Sequence, residues 1–302
     1  MSLDDGFEED FAEECIPNLD IVAESISQLG IDVLLCGETG TGKDTIAQRI
    51  HVMSGRKGPL VAMNCAAIPE SLAESELFGV ASGAYTGADR SRVGYIEAAQ
   101  GGILYLDEID SMPLSLQAKL LRVLETRAVE RLGSTSTIKL DIRVIASAQR
   151  SLGDAVEQGH FRRDLYFRLN VLTLKLAPLR TQRERIVPLF NRFAAAVAND
   201  LDLLSPHVTS LLQQQLQAHD WPGNIRELKA AAKRFVLGFP VLNAGPVEEE
   251  NPAGGLKSQL RVIEKALIQQ SLKRHQNCVD AVSTELGMPR RTLYRRIKEL
   301  RI

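Results

Sequence analysis

Two short stretches carry residue types suited to phosphate chemistry. The first, GETGTGKD, spans residues 37–44. Gly37, Gly40 and Gly42 let backbone amides curl around phosphate oxygens, Glu38, Thr39 and Thr41 complete the loop, and Lys43 reaches the terminal phosphates. An apolar run precedes it and a helical pattern follows it, which is the context a phosphate loop needs. Asp44 stands where a Ser or Thr hydroxyl usually contacts magnesium. The second stretch, GGILYLDE at 101–108, is an apolar run ending in two acids. Asp107 would lie near magnesium, and Glu108 would orient and deprotonate an attacking water. The pair predicts a site for ATP and Mg and a hydrolytic reaction.

Arginines refine that chemistry. GHFRRDLYFRLN carries Arg162, Arg163 and Arg168 just before the last apolar run, and WPGNIREL puts Arg226 in the first turn of a later helix. Arginines so placed can project from one subunit into a neighbour's phosphate site, where they are worth ~10³–10⁵ in rate. As a set they favour a ring ATPase over a small-molecule kinase built on a similar sheet and lid. GAYTGADR (83–90) fits neither a core nor a phosphate loop: its residues are too small for one and its spacing is wrong for the other.

Positioning these groups takes a parallel sheet. Apolar runs DVLLC (32–36), LVAMN (60–64), GILYL (102–106), RVIAS (143–147) and NVLTLKL (170–176) read as strands. Helical stretches such as 43–53 and 115–125 alternate with them. That alternation predicts an α/β fold with helices on both faces of the sheet. After Pro178 the strands stop and three helical stretches predict a small lid. The expected units are an acidic segment (1–20), an ATPase subdomain (21–177), a helical lid (178–238), a Pro- and Gly-rich linker (239–255) and a helical C-terminal unit (256–302).

The net charge of −2 hides an asymmetry. Residues 1–20 hold eight acids and no Lys or Arg, whereas 256–302 hold eleven Lys and Arg against four acids. A basic tail on a near-neutral body is an electrostatic footprint for nucleic acid. Within it, NCVDAVSTELGMPRRTLYRRIKEL (277–300) reads as helix, turn, helix, with the turn at Gly287-Met288-Pro289 and Leu293 and Ile297 facing the first helix. Arg290, Arg291, Thr292, Tyr294, Arg295 and Arg296 then lie on or beside the exposed face, suited to the major groove of double-stranded DNA. The four cysteines form no CxxC pair, no apolar run is long enough to span a membrane, and the N-terminus lacks the pattern of a signal peptide. These features predict reduced thiols, a cytoplasmic location and no membrane insertion.

From about residue 32 onward the chain resembles the AAA+ activators of sigma-54 RNA polymerase, the bacterial enhancer-binding proteins. The resemblance rests on GETGTGKD, NCAAIPESLAESELFG, GAYTGA, GGILYLDEID, LLRVLETRAVERLGS, FRRDLYFRLNV, PLR and WPGNIREL. GAYTGA matches the family's surface loop, with Tyr85 for the usual phenylalanine. It implies that Gly83, Ala84, Tyr85, Thr86, Gly87 and Ala88 contact sigma-54 from an insertion that rises when ATP is bound. The same likeness implies that Asn64 holds the catalytic glutamate, that Glu97 links this relay to the loop, and that Gln149 sits where the sensor is usually asparagine. Arg162 and Arg168 match the trans-acting fingers, Arg163 does not, and Arg226 matches the lid sensor. An acid at position 44 is common in the family. Val80 and Ala81 depart from the His and Glu frequent among relatives.

The resemblance therefore implies an ATP-driven activator that binds an upstream activating site through a Fis-like C-terminal unit and remodels the closed promoter complex into an open one. Its partners would be sigma-54 RNA polymerase, the DNA site and a homo- or hetero-oligomeric ring, expected to be a hexamer. The segment before the phosphate loop is too short for a receiver or ligand-sensing domain, which predicts control by expression, a co-activator subunit or a separate inhibitory protein. The layout is similar to the subgroup that switches on type III secretion genes in plant-associated bacteria. Two alternatives remain at this point: a DNA-binding regulator that uses the ATPase domain only to oligomerise, and an AAA+ motor with another client.

Overall fold

A computed structural model of the chain describes residues 17–84, 90–203, 207–242, 264, 268, 271–272, 275 and 279–300. Helix α1 (Pro17–Leu29) leads into β1 (Val33–Cys36), and a glycine-rich turn opens α2 (Lys43–Met53). β2 (Leu60–Asn64), α3 (Glu70–Phe78), the short α4 (Tyr95–Ala98) and β3 (Ile103–Asp107) follow. Next come α5 (Leu114–Thr126), a hairpin of β4 (Ala128–Glu130) and β5 (Thr137–Lys139), and β6 (Arg143–Ala148). The α/β unit closes with α6 (Leu152–Glu157), α7 (Arg163–Leu169) and β7 (Thr173–Lys175).

Five strands pair in parallel in the order β2-β3-β6-β1-β7. Their runs are apolar throughout because helices cover both faces. Alternate side chains enter opposite cores. Leu104 and Leu106 of β3 pack with Leu77, Leu120 and Leu165 from α3, α5 and α7, while Ile103 and Tyr105 join Ala23, Ile46 and Ile50 from α1 and α2. Buried Arg143, at the start of β6, donates to the carbonyls of Ile26, Ser27 and Ile31. It thereby satisfies acceptors that the end of α1 leaves open. The carboxyl ends of β1, β3 and β6 lie side by side, the place where open α/β sheets bind ligands.

The lid is α8 (Arg183–Asp200), α9 (Ser210–Ala218) and α10 (Asn224–Val236), packed around Phe190, Phe193, Trp221 and Leu228. Trp221 is fully buried, and its indole N–H donates to the Leu216 carbonyl at 2.8 Å. In the C-terminal unit, α11 (Val279–Glu285) and α12 (Arg290–Leu300) meet through Val282 and Leu293, with Ile268 completing the core and Ile297 beside it. Gly287, at φ 61°, makes the turn between them.

This is the expected α/β fold with a helical lid and a helix-turn-helix, with three local corrections. β7 covers Thr173–Lys175 rather than 170–176, because α7 runs to Leu169 and Asn170 still bonds back to Tyr166. β3 extends one residue further, through Asp107. The β4–β5 hairpin was not expected: its strands have three residues each, too few for a period-2 pattern to register. Tyr85, Thr86, Gly87 and Ala88 lie outside the described residues, as do 1–16 and most of the 239–255 linker.

Candidate nucleotide site

The phosphate loop is shaped by left-handed Gly40 (φ 75°) and Gly42 (φ 94°), conformations that glycine adopts without penalty. Thr41 closes it, its hydroxyl donating to the Glu38 carbonyl at 2.8 Å. Lys43 opens α2 and points its ammonium along the loop, donating to the carbonyls of Gly37 (2.8 Å) and Glu38 (3.1 Å). The loop faces a cleft of about 230 Å³ lined by Lys43, Asp44, Asp107, Glu108, Gln149 and Arg226, among others.

Across the cleft, the carboxyl end of β3 carries a linked set of polar groups. The Tyr105 hydroxyl donates to Asp44 at 2.7 Å and lies 3.2 Å from Asp107. Burial, then the Asp44 charge, push its phenol well above the usual tyrosine range, so it stays a donor. Ser147 of β6 donates to Asp107, and the Glu108 N–H donates to Ser147 at 3.2 Å. Two hard carboxylates flanking one phenol suit a divalent cation whose other ligands come from phosphates and water. Glu108 sits in the left-handed region (φ 53°), a strained backbone that commonly marks functional positions.

Gln149 holds the side chain of Glu108. Its amide N–H donates to Glu108, and its carbonyl oxygen accepts from the Thr39 hydroxyl at 2.8 Å. The expected partner of Glu108 was Asn64, and here the structure differs. Asn64 donates to Asp107 at 3.3 Å and accepts from the N–H groups of Ala66 and Ala67, so its amide is committed to the β2 turn.

The lid meets the phosphate loop directly. Ile225 N–H donates to the Gly40 carbonyl at 2.9 Å, and a Cβ on Gly40 would come within 2.3 Å of the Gly223 carbonyl oxygen. Buried Asn224 bonds to both sides: its amide donates to the Thr39 carbonyl (3.0 Å), and its oxygen accepts from Leu179 N–H (2.7 Å). Arg180 donates through both Nη atoms to Glu38, at 2.6 and 2.5 Å. Arg226 lines the cleft.

The three arginines before β7 separate. Arg162 is exposed at the start of α7 and pairs with Asp164 at 2.6 Å. Arg163 pairs with Glu157 at 3.1 Å. Arg168 turns inward to Asp32 (3.1 Å) and the Leu124 carbonyl (3.0 Å), so within one chain it does not approach the cleft.

A second cluster joins residues 80–84, 91–97 and 131–133, beside the described start of the expected sigma-54 loop. Glu97 accepts a two-point contact from Arg131 (2.8 and 2.5 Å), and Arg131 also reaches the Ser91 hydroxyl at 2.7 Å. Val80 pairs with Arg92 on one side and with Leu132, beyond β4, on the other; the Ala81 N–H donates to the Leu132 carbonyl. Position 81 thus contributes backbone here. Gly133 comes so near Ala84 that a Cβ on it would lie 2.4 Å from the Ala84 Cβ.

On α12, Arg291, Tyr294 and Arg295 are exposed, and Lys298, absent from the sequence reading, extends their face. Arg290 is tied to Asp280, Thr292 is half-buried, and Arg296 pairs with Glu264 (2.9 Å) and Glu299 (3.2 Å). Other functional groups went unnamed from sequence: Arg180, Asn224, Tyr105, Ser147 and Arg131. All but Ser147 fall inside motifs quoted for the resemblance: PLR, WPGNIREL, GGILYLDEID and LLRVLETRAVERLGS.

Comparison with known proteins agrees with this layout. Residues 12–175 match a family model described as the Sigma-54 interaction domain, 180–240 an AAA+ ATPase lid domain, and 259–300 a bacterial regulatory protein of the Fis family. The chain is 81% identical to the pathogenicity locus probable regulatory protein HrpS of Pseudomonas savastanoi pv. phaseolicola, over all of both chains. It is 60% identical over 279 residues to the corresponding HrpR protein of Pseudomonas syringae pv. syringae, covering 92% of this chain and 89% of that one. Among solved structures it resembles NtrX from Brucella abortus in complex with ATP, at 30% identity and a TM-score of 0.70, covering 96% of this chain and 68% of that one.

Proposed function

The chain belongs to the sigma-54-dependent AAA+ transcription activators of the HrpS and HrpR type, and on that premise we propose that it hydrolyses ATP to remodel sigma-54 RNA polymerase from the closed to the open promoter complex. The observation that carries this reading is the bridge from Glu108 through Gln149 to Thr39. It ties the general base to the loop that holds phosphates, so the base can respond to what the loop binds.

In this mechanism Lys43 and the loop amides hold the phosphates, and Glu108 takes the proton of the attacking water. Asp107 and Asp44 would hold Mg, which supplies charge neutralisation on the phosphates. Arg162 and Arg168 of a neighbouring subunit would stabilise the transferred phosphoryl group, and Arg226 would sense the nucleotide from the lid. Work would reach the polymerase through Glu97, Arg131 and the hairpin turn, whose Gly133 abuts Ala84 at the start of the 83–88 loop. α12 would anchor the assembly to upstream double-stranded DNA. The ring is proposed as a hexamer, homomeric or shared with a related co-activator subunit, controlled by a separate inhibitory protein and acting in the cytoplasm. The names of the HrpS and HrpR relatives support pathogenicity genes as targets, and we propose type III secretion genes among them.

The test is capture of purified sigma-54 with ADP and aluminium fluoride as a transition-state mimic. Capture that needs the mimic and vanishes in Thr86→Ala, with ATP turnover retained, is the expected result. Turnover without capture points to another client, and capture without turnover leaves an oligomerising DNA-binding regulator.

A further inference from the structure

Asp32 is a carboxylate with two arginines. Its side chain is 3% exposed. One oxygen accepts from Val144 N–H at 2.9 Å, and the other lies 2.6 Å from Arg127 and 3.1 Å from Arg168. The two arginines are not equivalent. Arg127 caps the end of α5 in a left-handed conformation (φ 49°), lies nearer to Asp32 and also donates to the Ile142 carbonyl at 3.2 Å. Arg168 stands on α7, holds Asp32 at the longer distance and donates to the Leu124 carbonyl at 3.0 Å, so its departure gives up one ion pair and one carbonyl contact.

A buried carboxylate must keep a partner, and stripping one bare is costly. When Arg168 leaves, Asp32 still has Arg127 and the Val144 N–H. Departure of Arg168 therefore costs far less than breaking a lone buried pair. Asp32 also precedes β1, while the phosphate loop follows it. At ~3.3 Å per strand residue the two are separated by roughly 16 Å. In this position Arg168 serves no nucleotide of its own chain.

We propose that Asp32 and Arg127 form an intrachain hold on Arg168, a parking site that releases this arginine when a neighbouring subunit presents its nucleotide. The proposal rests on the reading of Arg168 as a trans-acting finger. Asp32 and Arg127 are then positioning residues that set how readily the finger is delivered, and they pull in opposite directions. Asp32 retains Arg168; Arg127 competes with it for the same oxygen and weakens the retention.

Opposite signs make the test. ATP turnover is measured at a fixed subunit concentration for the whole chain and its variants, with melting temperature as a check on folding. Asp32→Asn keeps an acceptor for Val144 N–H and should raise kcat by about threefold or more, given the size of partly exposed ion pairs. Arg127→Gly suits the left-handed backbone and leaves Asp32 to Arg168 alone. It should lower kcat by about threefold or more, without loss of ATP affinity. A fall or no change in Asp32→Asn overturns the hold, and so does a rise or no change in Arg127→Gly. A wild-type chain without turnover that Asp32→Asn fails to activate overturns it equally. Arg168→Ala reports on the premise separately: full turnover in that variant removes the finger itself, whatever the other two do.

Discussion

Glu38 and Arg180 face each other across the seam between the phosphate loop and the lid as a two-point ion pair, at 2.5 and 2.6 Å. One residue belongs to the loop that surrounds phosphates, and the other directly precedes the lid helices. The pair therefore ties lid position to loop shape.

The hydrogen bonds from Arg180 hold the Glu38 carboxyl down at about 2, against an ordinary 4.5. A depressed carboxyl contributes stability above its unfolded value and loses it as pH falls through its folded one. Lid docking should thus be insensitive to pH from 8 to 5 and weaken on acidification from about 4.5 towards 2. Trp221, the chain's single tryptophan, lies buried in the lid and reports the change by fluorescence. Glu38→Gln should loosen the lid at neutral pH, flatten the acid transition and weaken ATP binding by about two- to fivefold, the scale of an exposed pair. A variant with the wild-type acid transition would show that the pair does not set lid docking.

Gln149→Ala should leave Glu108 without its orienting amide. The expected loss in kcat is about 10²-fold, the lower end of what a positioned base supplies, while ATP affinity stays within about threefold. Single-turnover hydrolysis alongside nucleotide-binding titration separates the two. Glu108→Ala should bind ATP and not turn it over; equal kcat for Gln149→Ala and wild type would remove the bridge from the mechanism.

Gly133 combines a left-handed backbone (φ 76°) with a close approach to Ala84. Gly133→Ala should disturb the base of the 83–88 loop without touching the cleft. Turnover should stay within about twofold, while sigma-54 capture with the transition-state mimic falls by about tenfold or more, the effect of ~1.4 kcal/mol. Parallel losses in both assays would mean that the hairpin supports the ATPase unit as a whole.

Arg291 and Arg296 sit on the same helix and should behave differently. Arg291→Ala should weaken DNA binding and reduce the salt slope by about one if it contacts a phosphate. Arg296→Ala breaks pairs with Glu264 and Glu299 and should chiefly lower the melting temperature of the C-terminal unit. A salt titration of DNA binding with a thermal melt distinguishes them, and equal salt slopes for Arg291→Ala and wild type would place that arginine off the DNA.

The sheet was legible because β1, β2, β3 and β6 are apolar runs separated by helical periods, and the phosphate loop because its glycines and lysine occur in fixed order between a strand and a helix. The β4–β5 hairpin was not, since three-residue strands carry no period. Long-range polar pairings were equally hidden. Nothing local in Tyr105 announces that it reaches Asp44, 61 residues away, and Arg180 meets Glu38 across 142. Asn64 and Arg168 show the reverse limit. Family likeness assigned each a partner, Glu108 for one and a neighbouring nucleotide for the other. Within one chain each is satisfied elsewhere, by Asp107 and by Asp32.

Asn224 has a consequence for where this chain can be cut. Its side chain holds Thr39 on one side and Leu179 on the other. A boundary drawn between residues 177 and 178 separates two compact folding cores, yet it runs through the nucleotide pocket. A fragment trimmed there keeps every glycine of the phosphate loop and loses the lid contacts to its Thr39 and Gly40 carbonyls. A piece that keeps this pocket walled therefore has to run past Asn224, more than forty positions beyond the last strand of the sheet.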